Sequence, residues 1–398
     1  MSKNNDELKP VILSACRTPG GKFGGSLQRL SAPELGSVVL KEALQRSGVE
    51  APEIAEIIMG NGWQAGIGAN PARIAGWKTG SLKDVSAFTI NKRCGSGLRA
   101  VMLIADRIRL GDINVGMAGG MESASNVPYI LPEARWGHRM GEKSVQDLLH
   151  KDGFFCPLSE MMMGTTAEIL AEEYSISRKE QDSFALRSHR RASAAVEEGV
   201  FRDEIVPVHI ASRKAAFDFE ADEIPRKDTT EEKLSELPPI FKEDGTVTAG
   251  SSSALCDGAA AMVVASSRWA KEKGYKPLCE ILSYATAVVP PDHMGIGPVE
   301  AVPKALKLAG LSLSDVDLIE LNEAFAVQVL AVQKDLGFDM DLCNIHGGAI
   351  ALGHPIGATG AKILTTLLYA LRHEDKEIGL ATACIGGGQG VAMVIKRF

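Results

Sequence analysis

The chain has 398 residues, 45% of them hydrophobic and 23% charged, and a formal net charge of −7. It is too long for one ordinary core, so two packed units or one composite domain are expected. The acidic balance argues against nucleic acid as a partner, because phosphate contacts want a basic face. No stretch approaches the roughly 18 unbroken apolar residues of a membrane span, and the polar opening MSKNNDELKP has no apolar signal core, which points to a cytoplasmic protein.

The first readable unit is a helix carrying Ala43 and Leu44, a stop at Gly48, and an apolar strand from Ile54 to Met59. The same unit recurs as Ala305-Leu306, Gly310-Leu311 and a strand from Val316 to Leu321, at a constant offset of 262 residues. Next comes Asn91-Lys92-Arg93-Cys94-Gly95-Ser96-Gly97, read as a strand-to-helix turn. A cysteine there sits at the positive end of a helix dipole among free N–H groups, which lowers its pKa toward the nucleophilic thiolate. A buried thiol beside a tight turn is the plainer alternative. The helix after it has a counterpart near Gly360-Ala361-Lys362, and short strands follow both, at 114–118 and 378–382. Strands alternating with helices predict mostly parallel sheets covered by helices. The duplication predicts two similar α/β halves.

Residues 122–248 interrupt this pattern with charge, methionine and irregular turns, and read as an inserted loop domain. They contain a helix near Ser177–Glu198, opened by a capping box of Ser177 and Glu180. The halves are then residues 1–121 plus 249–272, and residues 273–398.

Three further spots in the second half can carry chemistry. Asn322-Glu323-Ala324-Phe325 follows a buried strand, where α/β sites collect polar groups, although asparagine before a helix is also a common cap. His354 stands between Gly353 and Pro355, in bent and restricted backbone that a mere space-filler would not need. An imidazole is the usual activator of a cysteine nucleophile, and His346 ranks second to His354 for that part. Cys384-Ile385-Gly386-Gly387-Gly388-Gln389-Gly390 frees backbone N–H groups to converge, as an oxyanion hole requires. No lysine follows to make it a phosphate loop. The seven cysteines have no C-x-x-C spacing of a zinc or redox site.

Together, N-x-x-C-G-S-G around Cys94, N-E-A-F at 322–325, G-H-P-x-G at 353–357 and C-x-G-G-G at 384–388 resemble the thiolase pattern, in its order and at its spacing. Met163-Gly164-Thr165-Thr166-Ala167-Glu168, Thr248-Ala249-Gly250 and Asp257-Gly258-Ala259-Ala260 resemble further thiolase stretches, so the likeness spans essentially the whole chain. The resemblance implies a layered αβαβα architecture of two duplicated α/β halves with an inserted loop domain. It implies coenzyme A thioesters as substrates, no cofactor, no metal, and a homo-oligomer, dimer or dimer of dimers. By resemblance, Cys94 takes the acyl group, His354 keeps Cys94 reactive, and Cys384 moves the Cα proton of a second acetyl-CoA. The enolate oxygen would rest near His354 and a water held by Asn322, and the tetrahedral oxygen near the N–H groups of Cys94 and Gly386. Arg226 matches a family position near the adenine end of coenzyme A and Ser253 one near the pantetheine arm, with Arg213, Lys214 and Lys227 as further loop cations. Met163, Met294 and Phe325 would wall the acyl pocket.

Three stretches depart from the family pattern. Met161-Met162-Met163 stand where many acetoacetyl-CoA thiolases have His before Met-Gly, and Ser251 and Ile345-His346 replace common residues of two other motifs. Acetyl-CoA acetyltransferase is therefore the leading expectation and a broader 3-ketoacyl-CoA thiolase the second. A decarboxylating condensing enzyme would replace Cys384, and a silent acyl-CoA carrier would have lost a reacting group. Residues near 125–150, with Tyr129, Ile130 and Trp136, could hold an oligomerising loop.

Overall fold

The computed structural model describes residues 8–211 and 216–398. Ten strands form one sheet: β1 (Pro10–Arg17), β2 (Gly21–Lys22), β3 (Glu56–Gly60), β4 (Ser86–Ile90), β5 (Val115–Ser123), β6 (Cys256–Ser266), β7 (Cys279–Val288), β8 (Leu318–Leu321), β9 (Ile378–Ile385) and β10 (Gln389–Arg397). Their order is β8-β9-β10-β7-β1-β6-β5-β3-β4, with β2 pairing on β6. The halves meet where β1 pairs with β7, Val11 opposite Glu280 and Ile12 opposite Cys279.

The sheet is mixed rather than mostly parallel. Only β3/β4, β3/β5 and β8/β9 run parallel; the strands between them are antiparallel. An apolar run such as Cys256–Ser266, buried along its whole length, reads the same in either direction, because burial on both faces erases the alternation that marks a one-sided strand.

Helices α1 (Ala32–Ser47), α2 (Pro71–Lys78), α3 (Ser96–Arg109), α4 (Met163–Glu173), α5 (Arg178–Glu198), α6 (Gly297–Ala309), α7 (Ala326–Leu336) and α8 (Thr359–His373) account for the longer helical segments. Side chains alternate across each strand and sort the molecule into layers. Val11, Leu13 and Cys16 pack toward α1 and α2, whereas Ile12 and Ala15 face a core shared by α3, α8 and strands of both halves. On the other side, Leu380, Ala392 and Val394 pack against α6 and α7, while Ala381, Ala383 and Met393 face the shared core. Five layers result, with α3 and α8 in the middle.

The central helices touch at their N-termini, and glycine is what lets them. A Cβ at Gly97 would lie 2.4 Å from the Ala361 backbone nitrogen, and one at Gly360 would lie 2.4 Å from that of Leu98. Neither contact could survive a side chain. This reciprocal approach brings together the loops that precede α3 and α8. Those loops carry Cys94 and His354.

Two local expectations hold, the glycine stops of the repeat and the capping box at Ser177. Helices α1 and α6 end at Gly48 and Gly310, with φ of 69° and 71°, the left-handed cap that glycine adopts without cost. Helix α5 opens with Ser177 and Glu180 bonded reciprocally. Residues 124–255, between β5 and β6, add no strand to the large sheet among the described residues; they supply α4, α5 and short two-stranded ribbons.

Candidate active site

Cys94 occupies a tight turn, Arg93–Gly95, immediately before α3. Arg93 takes a left-handed φ of 49°, a bend that non-glycine residues adopt rarely. His354 approaches from the other half. Its backbone N–H donates to the Ala254 carbonyl at 2.9 Å, and Gly353 before it has φ +82°, with Cys256 Sγ 2.5 Å from where a Cβ would stand. Only glycine fits there.

The imidazole is held at both nitrogens. Nδ1 lies 2.6 Å from Thr359 Oγ1 and Nε2 lies 3.1 Å from Cys94 Sγ. The Thr359 hydroxyl donates its proton to the Pro355 carbonyl at 3.0 Å, so it accepts from Nδ1–H. That assigns the proton to Nδ1 and turns the Nε2 lone pair toward the thiol. Burial first, then the positive charges of Lys362 and Arg93, push the His354 pKa down to about 3. The ring is therefore neutral and free to accept a proton.

Cys94 departs from its sequence-based expectation. Its pKa is raised rather than lowered, because the side chain is buried and desolvation outweighs the opposing pull of Arg93 and of the backbone N–H groups of Gly386 and Cys94 itself. At rest the sulfur keeps its proton, and the adjacent base becomes necessary. The two N–H groups that reach the sulfur are those assigned to an oxyanion site.

Cys384 lies at the end of β9, fully buried, and burial followed by the proximity of Cys94 pushes its thiol well above the ordinary range. Beyond it, Gly386 makes room for an arginine. A Cβ there would lie 2.8 Å from Arg93 Nε and 3.2 Å from Met163 Sδ. Asn322 follows β8, and its backbone N–H donates to the Thr382 carbonyl at 3.0 Å, which sets it beside the strand that carries Cys384. Both polar atoms of its side chain are buried without a protein partner among the described residues. Such an amide is costly unless something else completes it.

One cavity of about 850 Å³ gathers these groups. Its wall includes Cys94, His354, Cys384 and Gly386, together with Arg226, Ser253, Met163, Met294 and Phe325. Asn322 sits behind the wall, next to Ala324 and Phe325, which line it. Ser253 is fixed by its N–H to the Ala324 carbonyl at 3.0 Å. His346, the second-ranked histidine, is elsewhere, with its ring edge-on to Phe201. Lys227 pairs with Glu197 at 2.5 Å, and Arg213 and Lys214 lie outside the described residues. All seven cysteines are buried and unpaired. No group of three or more His, Cys, Asp or Glu side chains among the described residues is arranged to hold a metal.

Two supporting residues escaped the sequence reading. Thr359 lies 263 residues after Ser96, whose hydroxyl likewise donates to a carbonyl of its own loop, Arg93 at 2.7 Å. The repeat therefore contained that signal. Glu122 gave none. Its carboxylate accepts from the N–H groups of Gly62, Trp63 and Gly357 and from Asn61 Nδ2, and so ties the loop before α8 to the first half. Burial pushes its pKa up to about 7 despite those donors.

Comparison with known proteins places this geometry. The N-terminal domain of thiolase matches residues 10–268 and the C-terminal domain of thiolase residues 275–397. The acetyl-CoA acetyltransferase of Escherichia coli (strain K12) is 53% identical over 97% of this chain and 98% of its own length. That of Pseudomonas aeruginosa is 50% identical over 97% and 99%. The crystal structure of the Bacillus anthracis acetyl-CoA acetyltransferase superposes with a TM-score of 0.97 at 45% identity, covering 99% of this chain and 100% of that one. With both halves matched almost from end to end, the chain belongs to the thiolase family.

Proposed function

We propose that the protein is an acetyl-CoA acetyltransferase, catalysing the reversible condensation of two acetyl-CoA molecules to acetoacetyl-CoA and free coenzyme A. The observation that carries this reading is the 3.1 Å contact of Cys94 Sγ with His354 Nε2 in a cavity that Cys384 also lines.

In the first step His354 Nε2 takes the thiol proton as Cys94 attacks the thioester carbonyl. The developing oxyanion is received by the N–H groups of Cys94 and Gly386, and coenzyme A leaves as the thiol, with the proton returned. In the second step the Cys384 thiol passes its proton to His354 Nε2, which acylation of Cys94 has freed, and the resulting thiolate removes a Cα proton from the second acetyl-CoA. The enolate oxygen is stabilised by His354 and by a water on the unpartnered Asn322 amide. The enolate carbon attacks the acetyl-Cys94 carbonyl, and Cys94 leaves as a thiolate that takes back the proton held on His354 Nε2. Each proton has a named donor and acceptor, so the chain of steps requires no cofactor. Two oxyanion sites matter because losing one donor typically costs about two to three orders of magnitude.

Met163, Met294 and Phe325 would wall a short acyl chain, and Arg226 and Ser253, which line the same cavity, would hold the coenzyme A arm. We further infer a cytoplasmic homo-oligomer, supported by the high exposure of Tyr129 and Trp136, and a loop domain over residues 122–248 with flanking halves as delimited above. No helix among the described residues is long and apolar enough to cross a membrane.

The test is coenzyme A-dependent thiolysis across 3-ketoacyl-CoA substrates of increasing length. The reading expects acetoacetyl-CoA to be cleaved with the highest kcat/KM. A rise toward longer chains would make the enzyme a broad 3-ketoacyl-CoA thiolase instead, and no thiolysis at all would leave a silent acyl-CoA binder.

A further inference from the structure

Lys362, in the first turns of α8, is a buried cation that the chemistry above leaves unused. Its Nζ donates to the carbonyls of Leu352 at 2.5 Å and Gly353 at 3.0 Å, the two residues directly before His354. Among the described residues no carboxylate reaches it within ion-pair distance. The nearest acids, Glu204 and Asp222, are taken by Arg17, through Nε to Glu204 at 2.5 Å and through Nη1 and Nη2 to Asp222 at 2.8 and 2.9 Å. The charged or titratable groups around the ammonium are Cys256 on β6, Arg17 on β1, Asp222 and Glu204 from the inserted region, Glu320 on β8, and His354.

Burying an ammonium against two neutral carbonyls is expensive, and an apolar side chain of similar length would cost less. The scaffold does not demand it. The repeat counterpart in α3 is Arg99, half-exposed and 3.8 Å from Asp106. A buried cation occurs only in the copy that precedes its helix with a histidine.

We propose that Lys362 is a positioning residue for acyl transfer: its ammonium pins the carbonyls of Leu352 and Gly353, so holding the His354 ring against Cys94, and its charge opposes a second cation on that ring. The proposal rests on His354 being the base for Cys94. It deepens that assignment by naming what fixes the base in place and keeps it unprotonated.

Three variants of the full-length enzyme separate tether from charge. Lys362→Arg keeps the charge, Lys362→Gln keeps a donor for the carbonyls without charge, and Lys362→Met removes both. The readouts are kcat and KM for acetoacetyl-CoA thiolysis and the acid limb of kcat/KM against pH, which reports the base in the free enzyme. Removing a cation beside an imidazole makes the imidazole easier to protonate, so the limb should move to higher pH, by about half a unit or more, in Lys362→Met and Lys362→Gln. It should stay in place in Lys362→Arg. Lys362→Met should lose roughly 10- to 100-fold in kcat with KM little changed, the size of effect expected when a catalytic group is misplaced by about 1 Å. Lys362→Gln should lose less. If Lys362→Met fails to fold, the limb of Lys362→Gln decides the matter. An unmoved limb in a folded Lys362→Gln protein overturns the proposal. His354→Asn serves as the control: if it leaves the limb of the parent enzyme unchanged, the assignment of the base itself is wrong, and if it removes the limb while Lys362→Gln does not move it, only the role of Lys362 is.

Discussion

The two α/β halves share a scaffold and differ in what they carry. Ser14 on β1 donates to the Ala43 carbonyl of α1, and Ser283 on β7 donates to the Ala305 carbonyl of α6, each at 2.6 Å. Both strands also bulge just before that serine. The edges have diverged: β4 runs parallel to β3 over five residues, whereas its counterpart beside β8 is reduced to a single bridge between Ile319 and Cys343. The loops before the central helices have diverged further. The first half holds a thiol there, and the second holds an imidazole. Duplication supplied two equivalent helix N-termini in contact, and the chemistry was then divided between them. Neither half alone contains a nucleophile beside its base.

The division can be broken one group at a time. Removing the nucleophile should have the largest effect. In Cys94→Ser we expect thiolysis of acetoacetyl-CoA to fall by at least about four orders of magnitude, read as kcat. Cys384→Ser should lower condensation by about two to four orders of magnitude, the usual share of a positioned acid or base, while coenzyme A exchange into acetyl-CoA continues. Equal loss of exchange and condensation would show that the two thiols do not have separate tasks.

A structural tie between the halves comes next. Arg17 of β1 binds Glu204 and Asp222, and Glu204 also accepts from Thr366 of α8 at 3.1 Å. Arg17→Met would strand two buried carboxylates, and a loss of about 3–5 kcal/mol in urea unfolding is expected. Asn322→Ala should act in the opposite manner. Activity should drop by about two to three orders of magnitude, yet the melting temperature should hold, because the buried amide has no protein partner to lose. A clear fall in melting temperature would mark it as a structural residue. The smallest effects are the most symmetrical: Ser14→Ala and Ser283→Ala should each cost about 1 kcal/mol, additively in the double variant.

Much of this was legible in the residues, for reasons that also explain the failures. Gly48 and Gly310 could be read because a left-handed cap is a local demand, and Ser177 with Glu180 because a capping box spans one turn. Cys94, His354 and Cys384 stood out as chemistry in short glycine-bounded motifs, and Asn322 as a polar group directly after a buried strand. Strand direction did not, since Cys256–Ser266 is apolar on both faces. Glu122 and Lys362 did not because their partners, mostly backbone groups, are brought near only by the fold, and a lone glutamate or lysine in sequence looks like surface. The pKa of Cys94 was misjudged because the helix end is local and visible, whereas burial, the larger influence, belongs to the whole assembled core.

Acyl transfer to Cys94 is the step on which everything else depends, and it can be observed directly. Wild-type protein, Cys94→Ser and Cys384→Ser would each be mixed with acetyl-CoA, quenched, and measured by intact and peptide mass spectrometry. The account predicts one acetyl group on the peptide containing Cys94 in the wild type and in Cys384→Ser, and none in Cys94→Ser. An acetyl group that persists in Cys94→Ser, or one that maps to Cys384 in the wild type, would contradict it.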